Sequence, residues 1–237
     1  MSEFKKSRFK SPALVAAVLS LLGAPLAAQM GMGFTPPTMS GVWNPVVGSG
    51  ATYDMLDKNN QKSSITFGVV SKEDVNGETG YWLQIVVSSE KTGQAVIQDL
   101  MVKQNGTVTP AKMIIQAGGR GPMEFSTNGP MMQMMQGRGM SAPTPAKSDV
   151  RETAEKVGTE SLTTPAGTFS CDHWRNKDGS GDVWIATNVG PWGLVKATSP
   201  NSSLTLTKVV TDAKSLITGT PQNMDNMMNM GRGGRND

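Results

Sequence analysis

Cysteine and histidine are nearly missing from this chain: of 237 residues, Cys171 is the only cysteine and His173 the only histidine. One cysteine forms no internal disulfide, so in an oxidising compartment the fold must rest on its apolar core. One histidine excludes multi-histidine metal sites and leaves a single imidazole for acid–base work. Aromatics are scarce at 5%, with two tyrosines against five tryptophans. An excess of one charge is missing too. Of 22 bases and 19 acids, residues 1–28 hold four bases and one acid, so the remainder is neutral. That gives no support for nucleic-acid binding, which needs a surplus of Lys/Arg on one face. After the N-terminal region, no apolar run approaches the roughly 20 residues of a membrane span.

The N-terminus is organised for export. Lys5, Lys6, Arg8 and Lys10 precede an apolar run from Ala13 to Leu22, and Leu26-Ala27-Ala28 offers small residues for cleavage. This is the order of a signal peptide, expected to span 1–28 and leave Gln29 first in a periplasmic or secreted protein. No cysteine follows the run, so the residue a lipoprotein anchor needs is absent there.

Three stretches are rich in methionine and glycine: 29–33, 131–140 and 224–234. They hold little branched apolar surface to offset backbone ordering, so they are expected to be disordered. The expected organisation is a disordered segment at 29–40, one β domain over 41–220 with a Met-rich insertion near 126–147, and a disordered tail at 221–237.

Within the domain the apolar period is two. Ile65, Phe67 and Val69 form one such set, and Tyr81, Leu83, Ile85 and Val87 another, with Asn76-Gly77 between them as a hairpin turn. Met113–Ile115, 168–175, 182–187, 193–198 and 203–210 read as further strands. Thr164-Pro165-Ala166-Gly167 suits a tight turn. Val150, Ala154 and Val157 follow helical spacing, capped by Ser148, with Glu152–Lys156 as an i, i+4 pair. A bent strand fits that segment nearly as well. The predicted fold is mainly β: one strongly curved antiparallel sheet, half-barrel-like, with little helix.

The stretches KVGTESLTTPAGTFSCDHWR (156–175) and DVWIATNVGPWGLVK (182–196) resemble a group of uncharacterised bacterial periplasmic proteins. Their expected architecture is similar to the lipoprotein-carrier (Lol-type) half-barrel. The resemblance covers roughly 41–220 and implies a curved sheet whose concave face holds an apolar ligand. It brings no catalytic residues, and the substantial helix of Lol-type carriers has no counterpart here.

Three groups of residues are candidates for chemistry. Cys171 and His173 lie two apart on one strand, a nucleophile–base spacing, yet Phe169 on the same face points to core packing for the thiol. Trp82, Trp174, Trp184 and Trp192 are the candidate lining of a ligand groove, with ordinary core packing as the alternative. Met131, Met132, Met134, Met135, Met224, Met227, Met228 and Met230 offer soft thioethers of the kind that select Cu(I). The acids are scattered, and Gly118–Gly121 lacks the Lys-Ser/Thr of a phosphate loop. No set forms a catalytic constellation. The expectation is a non-enzymatic exported binding or carrier protein for an apolar or lipid-like ligand, needing no cofactor, with a Cu(I)-binding Met-tract protein as the alternative.

Overall fold

The computed structural model describes residues 41–89, 93–104, 106–117, 119–130, 133 and 149–227. The expected signal peptide, the 29–40 segment and most of the Met-rich insertion lie outside these residues.

The described chain forms a single open, curved sheet of twelve strands. The first six are β1 (Gly50–Asp57), β2 (Lys62–Val75), β3 (Glu78–Ser89), β4 (Gly93–Gln104), β5 (Thr107–Ala117) and β6 (Met123–Ser126). A short helix, α1 (Val150–Thr153), leads into β7 (Ala154–Thr164), β8 (Gly167–Asn176), β9 (Asp182–Ile185), β10 (Leu194–Ser199) and β11 (Ser202–Val210), and β12 (Gln222–Asn223) is last. The strand order is β12-β6-β5-β4-β3-β2-β1-β11-β10-β9-β8-β7. Two antiparallel meanders, β1–β6 and β7–β11, therefore meet side by side along β1 and β11. The expected mainly β, curved, helix-poor fold is what forms.

Local chemistry explains the turns. Asn76 and Gly77 have φ of 56° and 85°, the left-handed pair of a hairpin turn that asparagine and glycine tolerate. The β2–β3 hairpin closes there, and the β7–β8 hairpin closes at Pro165-Ala166. Helical spacing at 150–157 is overridden after one turn. Asp149, not Ser148, caps α1 by accepting from the Arg151 backbone N–H. Ala154 onward pairs with β8, and an irregularity at Val157 interrupts the register. Lys156 binds Asp172 at 2.8 Å rather than Glu152, because strand pairing carries it away from the helical turn.

One face of the sheet carries the core. Phe67, Ile85, Ile97, Ile115 and Met123 lie opposite one another in register across five strands. Leu204, Leu206, Tyr53 and Met55 continue the apolar surface at the junction of the meanders. Each large side chain buried there contributes about 1.5–3 kcal/mol. Tyr53 donates its buried hydroxyl to the Leu194 carbonyl at 2.8 Å, tying β1 to β10. Segment 41–44 closes this end: Val42 and Asn44 donate backbone bonds to Trp192 and Pro191. A Cβ on Gly41 would stand 2.5 Å from Trp192 Cβ, so only glycine fits.

The opposite, outer face is covered in part by a strap, residues 211–221, that runs from β11 back across β2–β5 to β6. Ala213 N–H bonds to Gly48 O at 2.8 Å. Gln84 Nε2 donates to Lys214 O at 3.2 Å, and Leu216 N–H donates to Gln84 Oε1 at 2.7 Å. Gln98 Nε2 donates to Ser215 Oγ at 2.7 Å, and Thr218 N–H donates to Gln116 Oε1 at 2.9 Å. Three glutamine amides thus serve the strap's backbone and hydroxyls as a neighbouring strand would. The strap ends in β12, which pairs with β6 in parallel. Residues 222–227, expected within the tail, are thus β12 followed by a helical turn. They are anchored by Asp225, whose Oδ2 accepts from Ser126 N–H at 2.8 Å.

Candidate functional site

The four tryptophans singled out by sequence do not line one surface. Trp192 is 8% exposed and sits in the core, 5.1 Å from Phe67 and 5.3 Å from Trp43 between ring centroids. Trp174 lies opposite Val183 in register, whereas Trp184 lies opposite His173 and Lys196, on the other face. Trp82 lies opposite Leu100, away from the Leu83/Ile85 face, and donates Nε1 to Glu73 Oε2 at 3.0 Å. Register and loop packing thus place the rings in different surroundings.

Around Trp184 a polar cluster forms. His173 stacks on its ring at 4.5 Å, and Lys196 lies 5.0 Å from the ring centroid. His173 and Lys196 come from the strands on either side, so the indole is flanked rather than open. Trp184 Nε1 donates to Glu160 Oε1 at 2.5 Å. His173 Nδ1 is 3.4 Å from that oxygen, and its Nε2 is 3.6 Å from Asp182 Oδ1. Arg175 donates to the Asp182 carboxylate at 2.9 Å and holds its pKa below the usual range. The cluster is a network of exposed and half-buried charges around an aromatic centre.

Cys171 is fully buried, and its Sγ contacts Phe169 O at 3.6 Å. Burial, with the nearby charges of Glu160 and Asp172, raises the thiol pKa. A reactive thiolate needs the opposite surroundings. Among the described residues no group of three or more His, Cys, Asp or Glu is placed to hold a metal. Of the proposed thioether ligands, Met131, Met132, Met134, Met135, Met228 and Met230 fall outside the described residues. Met224 packs against the core, and Met227 is 54% exposed.

The residue that sequence reasoning missed is Asp99. It lies on β4 between Leu83 and Met113 in register, with Ile97 and Met101 two positions to either side. Its exposure is 0%, and neither carboxyl oxygen has a hydrogen-bond partner. Desolvation raises its pKa to about 7. No lysine, arginine or histidine is among the buried residues described. The signal was present in the sequence as a lone acid inside the apolar run AVIQDLMV, 95–102. A buried carboxyl without a donor costs free energy, and such groups gather at functional sites.

No protein-family model matches this chain, and no curated protein matches it. Among solved structures it is similar to a candidate lipoprotein from Parabacteroides distasonis ATCC 8503, with 16% identity and a TM-score of 0.36 over 72% of this chain and 99% of that one. It is also similar to a candidate exported protein with a YmcC-like fold from Bacteroides fragilis NCTC 9343, at 12% identity and a TM-score of 0.36, again over 72% and 99% of the two chains.

Proposed function

We propose that this is an exported, non-enzymatic binding or carrier protein whose ligand is apolar or lipid-like. The observation that carries the reading is the inner face of the sheet. An apolar row runs in register from Phe67 on β2 to Met123 on β6, and in the row beside it Asp99 is a fully buried carboxyl between Leu83 and Met113. Ligand sites are mostly apolar, with few polar groups placed among them. The export reading rests on the basic, apolar and small-residue order of residues 1–28. No helix among the described residues is long and apolar enough to cross a membrane. The non-enzymatic reading is supported by the buried, raised-pKa thiol of Cys171 and by the His173 ring, which is stacked on Trp184 and set between two carboxylates.

Native mass spectrometry of the protein purified from a periplasmic extract tests this. The expected result is a chain beginning at Gln29 that carries a lipid-sized adduct lost on denaturation. A chain that is bare in repeated preparations overturns the ligand reading. A copper adduct instead moves the function to the methionine tracts. A chain retaining residues 1–28 in the cytoplasm overturns export.

A further inference from the structure

We infer that Asp99 is the polar anchor of the inner face and that the ligand it selects is an apolar molecule bearing an amine head. The inference rests on the carrier reading above and names its ligand class.

Chemistry narrows the class. Asp99 has two carboxyl oxygens, both without a donor, in a face otherwise built of Leu83, Ile97, Met101 and Met113. What the site lacks is hydrogen-bond donors and positive charge. A carboxylate-headed chain brings neither and adds a like charge once Asp99 ionises. A hydroxyl brings one donor. An ammonium brings three donors and the opposite charge, which offsets the desolvation of the carboxylate. The surrounding side chains suit entry of a chain. Met101 and Met113 flank the carboxyl, and methionine is unbranched and repacks readily around an inserted group. Retaining the acid is otherwise unfavourable for the fold, because an apolar residue there would remove an unpaired buried group.

Binding couples to protons. In the empty protein burial holds Asp99 largely protonated below about pH 7. Seating an ammonium requires the ionised carboxylate, so below that value binding releases a proton and tightens as pH rises; above it affinity levels off, and it falls once the amine itself loses its charge.

The test uses dodecylamine below its micelle concentration, with dodecanol and dodecanoate as comparison probes. Binding is measured by calorimetry on the wild-type protein and on Asp99→Leu and Asp99→Asn. The expected result is dodecylamine binding at least about tenfold tighter than either comparison probe. That preference disappears in both variants, while their unliganded thermal midpoints equal or exceed the wild type. Equal dodecylamine affinity in wild type and Asp99→Leu overturns the role of Asp99. Asp99→Asn keeps the volume and decides the matter if the leucine variant does not fold. If all three probes bind wild type and variants alike, the amine inference fails and the carrier reading survives. If none binds the wild type, both fail.

Discussion

The backbone N–H of Leu216 donates to the side-chain oxygen of Gln84, 2.7 Å away and 132 residues earlier in the chain. The same amide donates through Nε2 to Lys214 O and accepts from Gln98 Nε2 at 2.9 Å. One side chain thereby holds the strap to the outer face of β3. Leu216 itself is 50% exposed, so the strap is attached chiefly by polar bonds rather than by burial.

Gln84→Leu removes the acceptor of Leu216 and the donor to Lys214. Backbone groups of the strap then lose partners at a site only partly open to water, at a cost of about 1–3 kcal/mol. The expected outcome is faster hydrogen exchange over 213–218, with β3–β5 amides still protected. Unchanged exchange in the strap would show that its attachment lies elsewhere.

Stability is expected to fall as pH rises from about 4 to about 7. Asp99 has a folded pKa raised from 3.8 to about 7. A raised carboxyl favours the folded state fully below its unfolded pKa and loses that contribution as pH rises through the folded value. The loss is on the order of 4 kcal/mol, from about three pKa units. Asp172 and Asp182 shift the other way, held low by bonds from Lys156 and Arg175 respectively. Their contribution is present above the ordinary carboxylate range and fades as pH falls below it. The thermal midpoint should therefore be higher near pH 5 than near pH 8, and Asp99→Asn should flatten that slope. A midpoint that rises steadily from pH 5 to pH 8 in the wild type contradicts this.

The thiol of Cys171 is expected to resist maleimide under native conditions and to react at once after unfolding, because it is wholly buried with a raised pKa. Rapid native labelling would return it to the list of reactive groups. Cys171→Ser buries a hydroxyl in its place and should cost about 1–3 kcal/mol.

Trp184→Leu removes the stack with His173, the contact with Lys196 and the bond to Glu160. The combined loss should be about 1–2 kcal/mol, with the sheet intact by circular dichroism. Binding of the apolar probes should be unaffected, since Trp184 lies on the opposite face from its strand neighbours Val183 and Ile185. A lost probe affinity in this variant would move the ligand to the Trp184 cluster.

Where one face of a strand is polar, period two is readable: β2, β3 and β8 to β11 follow from alternation and from turn residues such as Asn76-Gly77, whereas β7 begins in a segment whose spacing is helical. β4 does not follow, because both of its faces are apolar. Val96 and Leu100 are buried on the outer side while Ile97 and Met101 fill the inner. A strand covered on two sides has no alternation to read. On that outer side the strap is bonded to Gln98 of β4; its sequence KSLITGTP has no period of its own, and its partners are glutamines far away in the chain. The site was less legible than the fold. Asp99 stood out only once register placed it between Leu83 and Met113. The tryptophans drew attention by type, yet their surroundings depend on tertiary packing that spacing does not encode.

Every neighbouring pair within the two meanders is close in sequence, but β1 waits for β11. A chain delivered N-terminus first across a membrane would present β1–β6 long before β11 arrives. During that interval β1, with Tyr53 and Met55 on its inner side, is a bare sheet edge able to pair with another copy. The seam between the meanders is thus the pairing completed last, and the late arrival of β11 sets how long that edge stays exposed.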